Sequence, residues 1–154
     1  MNQTLETRAK QIISKILNIT VATSSFEGLP WNTPVYSAYD DEYNFYWDSD
    51  INAVHSKNIK NNSNVFVVVY DSSGGAEGVY MKGTARMLNE QKEIIHAQNV
   101  MRDRLKTQRE KDFLEEFFKN TNNAFFEFTP DTMWINDTSK TGIDGRIEIS
   151  LIGS

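Results

Sequence analysis

The sequence contains no cysteine and only two histidines among its 154 residues. Without cysteine, the chain has no disulfide framework, no thiolate metal site and no cysteine nucleophile. With His55 and His96 as the whole histidine complement, it offers no convincing metal cluster. The acidic run 40–42 is best explained as a solvated turn rather than as a metal site.

Long apolar runs and net positive charge are missing as well. No run approaches the roughly 20 residues that a membrane span needs. The first six residues lack the basic and apolar regions of a signal peptide, so we expect a cytoplasmic protein without a membrane association. The net charge of −5 and the pI near 5.0 weigh against nucleic-acid binding, because nucleic-acid-binding proteins are usually basic.

What the sequence does contain is typical of one globular domain. Hydrophobic residues make up 39% and aromatic residues 12% of the chain, which is too rich in apolar groups for disorder. No internal repeat and no long linker divides the chain. We therefore expect a single domain over residues 1–154.

Hydrophobic periodicity predicts helices at 4–17, 90–105 (capped by Asn89) and 108–119. Strands are predicted at 19–24, 31–39, 43–48, 65–71, 79–88, 124–129, 133–136 and 146–152. The run 65–71 is unbroken and apolar, which is typical of a strand buried on both faces. Residues 72–78 are predicted to be a hairpin connection and residues 137–145 a polar loop.

Three residues mark irregular positions within these strands. Pro34 predicts a bulge or an edge strand, and Pro130 is expected to end the strand that precedes it. Gly83 predicts a bend or a close backbone contact. Consecutive strands with short turns favour antiparallel pairing, and this many strands with few helices need a closed or nearly closed barrel to cover their edges.

The segment between the third and fourth strands has the chemistry of an anion site. Ser49 ends a strand, and a one- or two-turn helix follows with His55 and Lys57 at its centre and Val54, Asn58 and Ile59 towards the inside. Helix N-terminal N–H groups and hydroxyls bind phosphate. The sequence shows no nucleophile paired with an acid–base group.

The order and spacing of several motifs resemble the FMN-binding split-barrel family, the pyridoxamine 5′-phosphate oxidase-like proteins. The motifs are PVY at 34–36, FYWDS at 45–49, HSKNI at 55–59, GVYMKGTA at 78–85, WIND at 134–137 and RIE at 146–148. The resemblance covers about residues 5–151. It implies a mainly β (α+β) fold, an antiparallel split β-barrel with flanking helices, and a homodimer with FMN at the interface.

The resemblance also implies the cofactor-binding residues. The isoalloxazine would lie against Trp31, Thr33, Pro34, Val35 and Tyr36. The ribityl chain and phosphate would contact Tyr46, Trp47 and Ser49, with His55, Lys57 and Asn58 completing the phosphate site. Trp134 and Arg146 would come from the other subunit. No catalytic residue is identified.

The sequence departs from the oxidase itself at the positions of its cations. Trp31 and Tyr36 stand where the oxidase has Arg and Lys, and Val54-His55 stands where it has an Arg-Lys pair. Arg146-Ile147-Glu148 replaces its Arg-x-His motif. The resemblance therefore supports FMN binding more than vitamin B6 chemistry. Because a charge-assisted bond is worth roughly 1.5–3 kcal/mol, we expect weak FMN binding.

The function expected from the resemblance is a flavin-dependent oxidoreductase that acts on a small molecule, with a nicotinamide or another reductant as electron donor. The flavin carries the chemistry, so no catalytic triad is needed. Three alternatives stay open. They are a flavin- or haem-binding protein without turnover that serves storage, sensing or stress response, a deazaflavin protein, and a barrel without a cofactor.

Several of these residues also have a purely structural explanation. Tyr46 and Trp47 suit a packed core, and Trp31 suits the end of a barrel. His55 suits a helix surface, Arg146 suits an ion pair with Asp144, and His96 suits solvent. The apolar residues of the helix at 108–119 are expected in the core or in a dimer contact; they are Phe113, Leu114, Phe117 and Phe118.

Overall fold

The computed structural model describes residues 4–73, 77–136 and 145–152. Within these ranges there are four helices and eight strands. The helices are α1 (Leu5–Lys15), α2 (Val54–Asn61), α3 (Gln91–Arg104) and α4 (Gln108–Phe118). The strands are β1 (Asn18–Ser24), β2 (Pro30–Tyr36), β3 (Ala38–Tyr39), β4 (Phe45–Asp50), β5 (Asn64–Tyr70), β6 (Gly78–Met87), β7 (Asn123–Asn136) and β8 (Arg146–Ile149).

All the strand pairs are antiparallel, and the sheet has the order β2-β1-β5-β6-β7-β4-β3, with β8 paired to β7. The two ends of this order, β2 and β3, are separated along the chain only by Ser37. The sheet therefore curls until its ends approach each other. The predicted α+β antiparallel split barrel is confirmed. The predicted strand 31–39 divides at Ser37, because its first part pairs with β1 and its second with β4.

The concave face of the sheet encloses the main core. Its largest fully buried side chains include Trp47, Phe45, Phe126 and Phe128, and the ring of Trp47 stacks on Phe126 with 5.7 Å between centroids. A second apolar cluster lies beneath α3 and α4. It consists of Ala38, Tyr46, Leu88, Ala97, Met101, Leu105, Leu114 and Phe125.

The strand β5 is buried on one face only, so the prediction of burial on both faces was wrong. Val65, Val67 and Val69 are buried, whereas Phe66 is partly exposed and Tyr70 is 50% exposed. The reason is that an antiparallel sheet needs only one face in the core. The outer residues are nevertheless apolar, and the ring of Phe66 stacks on Trp134 of β7.

Pro130 does not end its strand, which corrects a second prediction. The strand β7 runs continuously through it, and the register with β6 shifts between Lys82 and Gly83. A proline without an N–H is tolerated at such an irregularity. A Cβ atom on Gly83 would lie 2.1 Å from the carbonyl oxygen of Thr129, so the predicted close backbone contact at Gly83 is confirmed.

The remaining local signals were mostly interpreted correctly. Pro34 lies in β2, at the edge of the sheet. Thr4 caps α1, and its hydroxyl accepts a hydrogen bond from the backbone N–H of Thr7 at 3.2 Å. The N-cap of α3 is Glu90 rather than Asn89, and it makes no side-chain cap bond.

The predicted hairpin connection and polar loop fall partly outside the described residues, at 74–76 and 137–144. In the part of the chain that the structure describes, no helix has the length and apolar character needed to cross a membrane.

Candidate functional site

A cavity of about 560 Å³ lies where the barrel is split, between β2 and β4. We call it the split cleft. It exists because β3 pairs with β4 only at Phe45 and Tyr46, so the described strands leave the rest of that edge of β4 without a partner. Its walls are formed by Leu17, Pro34, Val35, Tyr36, Asp48, Ser49, His55, Leu105, Arg109, Glu110, Phe113, Leu114 and Phe117.

Ser49 and His55 form the polar end of the cleft. The Oγ atom of Ser49 lies 2.8 Å from Nε2 of His55, and both side chains are buried. The hydroxyl of Ser56 donates to the backbone oxygen of Asp50 at 2.8 Å, which fixes the first turn of α2 against the end of β4. Burial lowers the pKa of His55, so its imidazole is neutral at pH 7. The sequence did not reveal this pairing of a hydroxyl with an imidazole.

Asp48 is a buried carboxyl group in the same wall. Burial raises its pKa to about 6, because the charged form loses solvation. The side-chain amide of Asn123 donates to its Oδ2 atom at 3.2 Å and partly offsets this effect. Asp48 is therefore a carboxyl group that changes charge in mildly acidic solution.

The hydroxyl of Tyr36 is an orphaned polar group at the cleft. It is buried and has no hydrogen-bond partner among the described residues. Burial raises the pKa of Tyr36 to about 12, with a smaller opposing effect from the nearby Arg104 charge, so the phenol stays protonated. A buried hydroxyl without a partner costs free energy. A ligand with an acceptor atom at this point of the cleft would recover that energy.

The helix α4 contributes an exposed stripe to the cleft. Arg109, Phe113 and Phe117 follow one another at intervals of four residues, which places them on one helix face. The rings of Phe113 and Phe117 stack with centroids 6.4 Å apart, and Phe113 is 73% exposed. In this chain Phe113 does not lie in the core, whereas Leu114 does. The spacing of these three residues was the signal that sequence reasoning missed.

Five of the predicted cofactor-binding residues line the split cleft: Pro34, Val35, Tyr36, Ser49 and His55. Four other predicted residues do not line the cleft. They are Trp31 and Thr33 of β2 and Lys57 and Asn58 of α2. Lys57 lies on the exposed side of α2. The amide of Asn58 is buried and donates to the hydroxyl of Thr23 at 3.0 Å.

The side chains of Tyr46 and Trp47 are directed into the two apolar clusters. The Trp47 indole is fully buried in the main core. The hydroxyl of Tyr46 donates to Oδ2 of Asp40 at 2.9 Å, and its ring meets His96 edge to face. The structure thus supports the core explanation for both side chains. A contact with a ligand through their backbone groups stays a prediction.

Trp134 and Arg146 lie on the outer face of the sheet, away from the cleft. Trp134 alternates with the buried Met133 and Ile135, and it stacks on Phe66 with 6.3 Å between centroids. The guanidinium of Arg146 lies 5.1 Å from the ring centre of Tyr80. Within one chain these two residues are not brought to the site, so their predicted role depends on a second copy.

Several solved structures share this fold. HutZ from Vibrio cholerae, described as a heme storage protein, has a TM-score of 0.74 at 15% identity, over 86% of this chain and 95% of HutZ. A heme-binding protein from Mycobacterium smegmatis has a TM-score of 0.71 at 13% identity, over 97% of this chain and 60% of that one. Identities this low show the fold alone.

A third solved structure is a Clostridium acetobutylicum protein related to general stress protein 26 of B. subtilis, from the pyridoxinephosphate oxidase family. Its TM-score is 0.71 at 12% identity, over 98% of this chain and 97% of that one. A search of the curated proteins gave no match by sequence. The family model for pyridoxamine 5′-phosphate oxidase matches residues 5–136, from the start of α1 to the end of β7. The chain therefore belongs to the pyridoxamine 5′-phosphate oxidase family.

Proposed function

We propose that this chain binds FMN in the split cleft, as a homodimer, and acts as a flavin-dependent oxidoreductase on a small molecule. The observation that carries the proposal is the composition of the cleft. Apolar side chains, most of them from β2 and α4, form most of its walls, and a hydroxyl–imidazole pair lies at one end. An apolar ring system with a polar tail is the kind of ligand that such walls complement.

The residues present fit a flavin in three respects. The volume of about 560 Å³ lies within the usual range for small-molecule and cofactor sites. The unpartnered hydroxyl of Tyr36 provides a donor for a ring oxygen or nitrogen. The hydroxyl of Ser49 and the first-turn N–H groups of α2, which have no acceptor within the helix, provide donors for a phosphate.

When bound, the flavin supplies the hydride or electron transfer. The chain's own residues bind and orient it. Val35, Phe113 and Phe117 exclude water from the ring, and the neutral imidazole of His55 holds the Ser49 hydroxyl in position through their hydrogen bond. A nicotinamide is one candidate reductant, and a small oxidised substrate would accept electrons at the open side of the cleft.

The homodimer is supported by the outer face of the sheet. Phe66, Tyr80 and Trp134 form an aromatic surface there, with Arg146 above it. The resemblance to the family implies that Trp134 and Arg146 of a second copy complete the cofactor site. Mixing two inactive variants, one changed in the cleft and one at Trp134, tests this by restoring one intact site per mixed dimer.

Haem is the second candidate ligand, because two solved structures with this fold are described as heme storage and heme-binding proteins. The observation in this chain that favours it is a buried imidazole, His55, in an apolar cleft. To coordinate iron through Nε2, His55 would have to give up its hydrogen bond to Ser49. A haem-binding protein without turnover is the corresponding function.

Absorption titrations with FMN and with hemin test the two candidates. We expect one FMN retained per chain after removal of the excess, and reduction of the bound flavin by a nicotinamide. The His55→Ala variant should bind FMN less tightly, while His96→Ala, outside the cleft, should match the wild type. The flavin proposal would give way to the haem candidate if the wild type retained hemin but no FMN. The absorption band of the bound hemin should then be lost only in His55→Ala.

A further inference from the structure

Among the described residues that line the split cleft, one carries a full positive charge at neutral pH. This residue is Arg109, in the first turn of α4. The imidazole of His55 is neutral because burial lowers its pKa. Lys57, the other candidate cation for a phosphate, lies on the exposed side of α2 and does not line the cleft.

Arg109 also has a free guanidinium within the described part of the chain. It makes no hydrogen bond or ion pair there, whereas Arg86 pairs with Glu93 and Arg102 pairs with Glu115. The neighbouring Glu110 is already occupied by the capping box of α4, where it accepts from the backbone N–H and hydroxyl of Thr107. An arginine without a partner at the rim of an apolar cavity is available to a ligand.

Two carboxyl groups line the same cavity, and their negative charge opposes the binding of an anion. Asp48 is ionised at neutral pH, and Glu110 carries its charge at the start of α4. An anion that enters an apolar cleft needs a compensating charge, and here it must also overcome this repulsion. The hydroxyls of Tyr36 and Ser49 contribute hydrogen bonds but no charge.

We infer that Arg109 supplies the cation that recognises the phosphate of the bound mononucleotide. This inference rests on the proposed function. A guanidinium binds a phosphate with two parallel charge-assisted hydrogen bonds, which a lysine cannot reproduce. The phosphate contact therefore comes from α4, a helix far along the chain from the strand end and helical turn that hold Ser49 and His55. It makes the chain selective for FMN over riboflavin.

The test compares FMN with riboflavin, which has the same ring and ribityl chain but no phosphate. Dissociation constants are measured by quenching of flavin fluorescence for the wild type, Arg109→Gln, Arg109→Lys and the control Lys111→Gln, an exposed cation on the same helix. We expect Arg109→Gln to bind FMN about tenfold less tightly with riboflavin affinity unchanged. Arg109→Lys should be intermediate, and Lys111→Gln should match the wild type.

Inorganic phosphate provides an independent readout. Phosphate should displace FMN, but not riboflavin, from the wild type. It should displace neither flavin from Arg109→Gln. Equal losses of FMN and riboflavin affinity in Arg109→Gln, or no loss of either, would overturn the inference while leaving flavin binding intact. A wild-type chain that binds neither flavin would overturn the proposed function and this inference together.

Discussion

The Oγ atom of Ser49 lies 2.8 Å from Nε2 of His55, and both side chains are buried at the edge of the split cleft. The first comes from the end of β4 and the second from the first turn of α2. Because His55 is neutral, the pair offers a ligand either a hydroxyl donor or an imidazole N–H, but no charge. This is the polar end of a cleft whose positive charge comes from Arg109 of α4.

Removing the Ser49 hydroxyl should weaken FMN binding without unfolding the chain. We expect Ser49→Ala to lose about fivefold in FMN affinity, the equivalent of one hydrogen bond of about 1 kcal/mol. The control is Ser14→Ala, which removes an exposed hydroxyl of α1 that donates to the backbone oxygen of Gln11 and does not line the cleft. Fluorescence titration measures both, and equal losses in the two variants would contradict the assignment.

The sequence was sufficient to predict most of the sheet, because the signals involved are local. Alternation of apolar residues marked the strands, and Gly28, in the turn between the first two strands, has a positive φ of 84°. Ser49 and His55 were identified for the same reason, since they lie six residues apart, at a strand end and in the next helix. Residues of β2 joined them through the family resemblance.

The rest depended on contacts between distant parts of the chain. Pro130 was expected to end a strand, but the strand continues because Gly83 on β6 allows the two backbones to approach closely. Likewise, Phe113 and Leu114 were both expected in the core or in a dimer contact, and of the two only Leu114 is buried within the chain. Phe113 lies about sixty residues along the chain from Ser49. Which face of α4 reaches the cleft depends on how the helix packs against the sheet, and no local sequence pattern contains that information.

The exposed aromatic stripe of α4 should contribute to binding rather than to stability. We expect Phe113→Ala to bind FMN about tenfold less tightly, because the bound flavin ring would lose an aromatic neighbour at the wall of the cleft. Phe26→Ala is the matched control, since Phe26 is 86% exposed and does not line the cleft. Both variants should have the same urea midpoint of unfolding as the wild type. A loss of stability in Phe113→Ala alone would indicate a packing role instead.

Gly83 should be far less tolerant of substitution than Gly28. A Cβ atom at Gly83 would lie 2.1 Å from the Thr129 carbonyl oxygen, so Gly83→Ala must separate β6 from β7 and should cost about 3 kcal/mol or more of unfolding free energy. At Gly28 nothing lies within 4 Å, and Gly28→Ala should cost only about 1 kcal/mol for its positive φ. Urea denaturation compares the two, and similar losses would contradict the close contact.

Asp48 should make the stability of the chain depend on pH in mildly acidic solution. Burial raises its folded pKa from 3.8 to about 6, so the folded state holds a proton that the unfolded state releases first. The unfolding free energy should therefore be highest below the unfolded pKa. It should fall as the pH rises towards the folded pKa and then level off, and a shift of this size corresponds to roughly 3 kcal/mol.

The Asp48→Asn variant removes this dependence, because the amide oxygen can still accept from Asn123 and no charge is buried. We expect the variant and the wild type to be nearly equally stable at about pH 4, and the variant to be more stable by roughly 2–3 kcal/mol at about pH 7.5. Urea unfolding across this range measures the difference. A stability difference that stays constant with pH would mean that the Asp48 carboxyl titrates normally in the folded chain, and that solvent reaches this wall of the cleft.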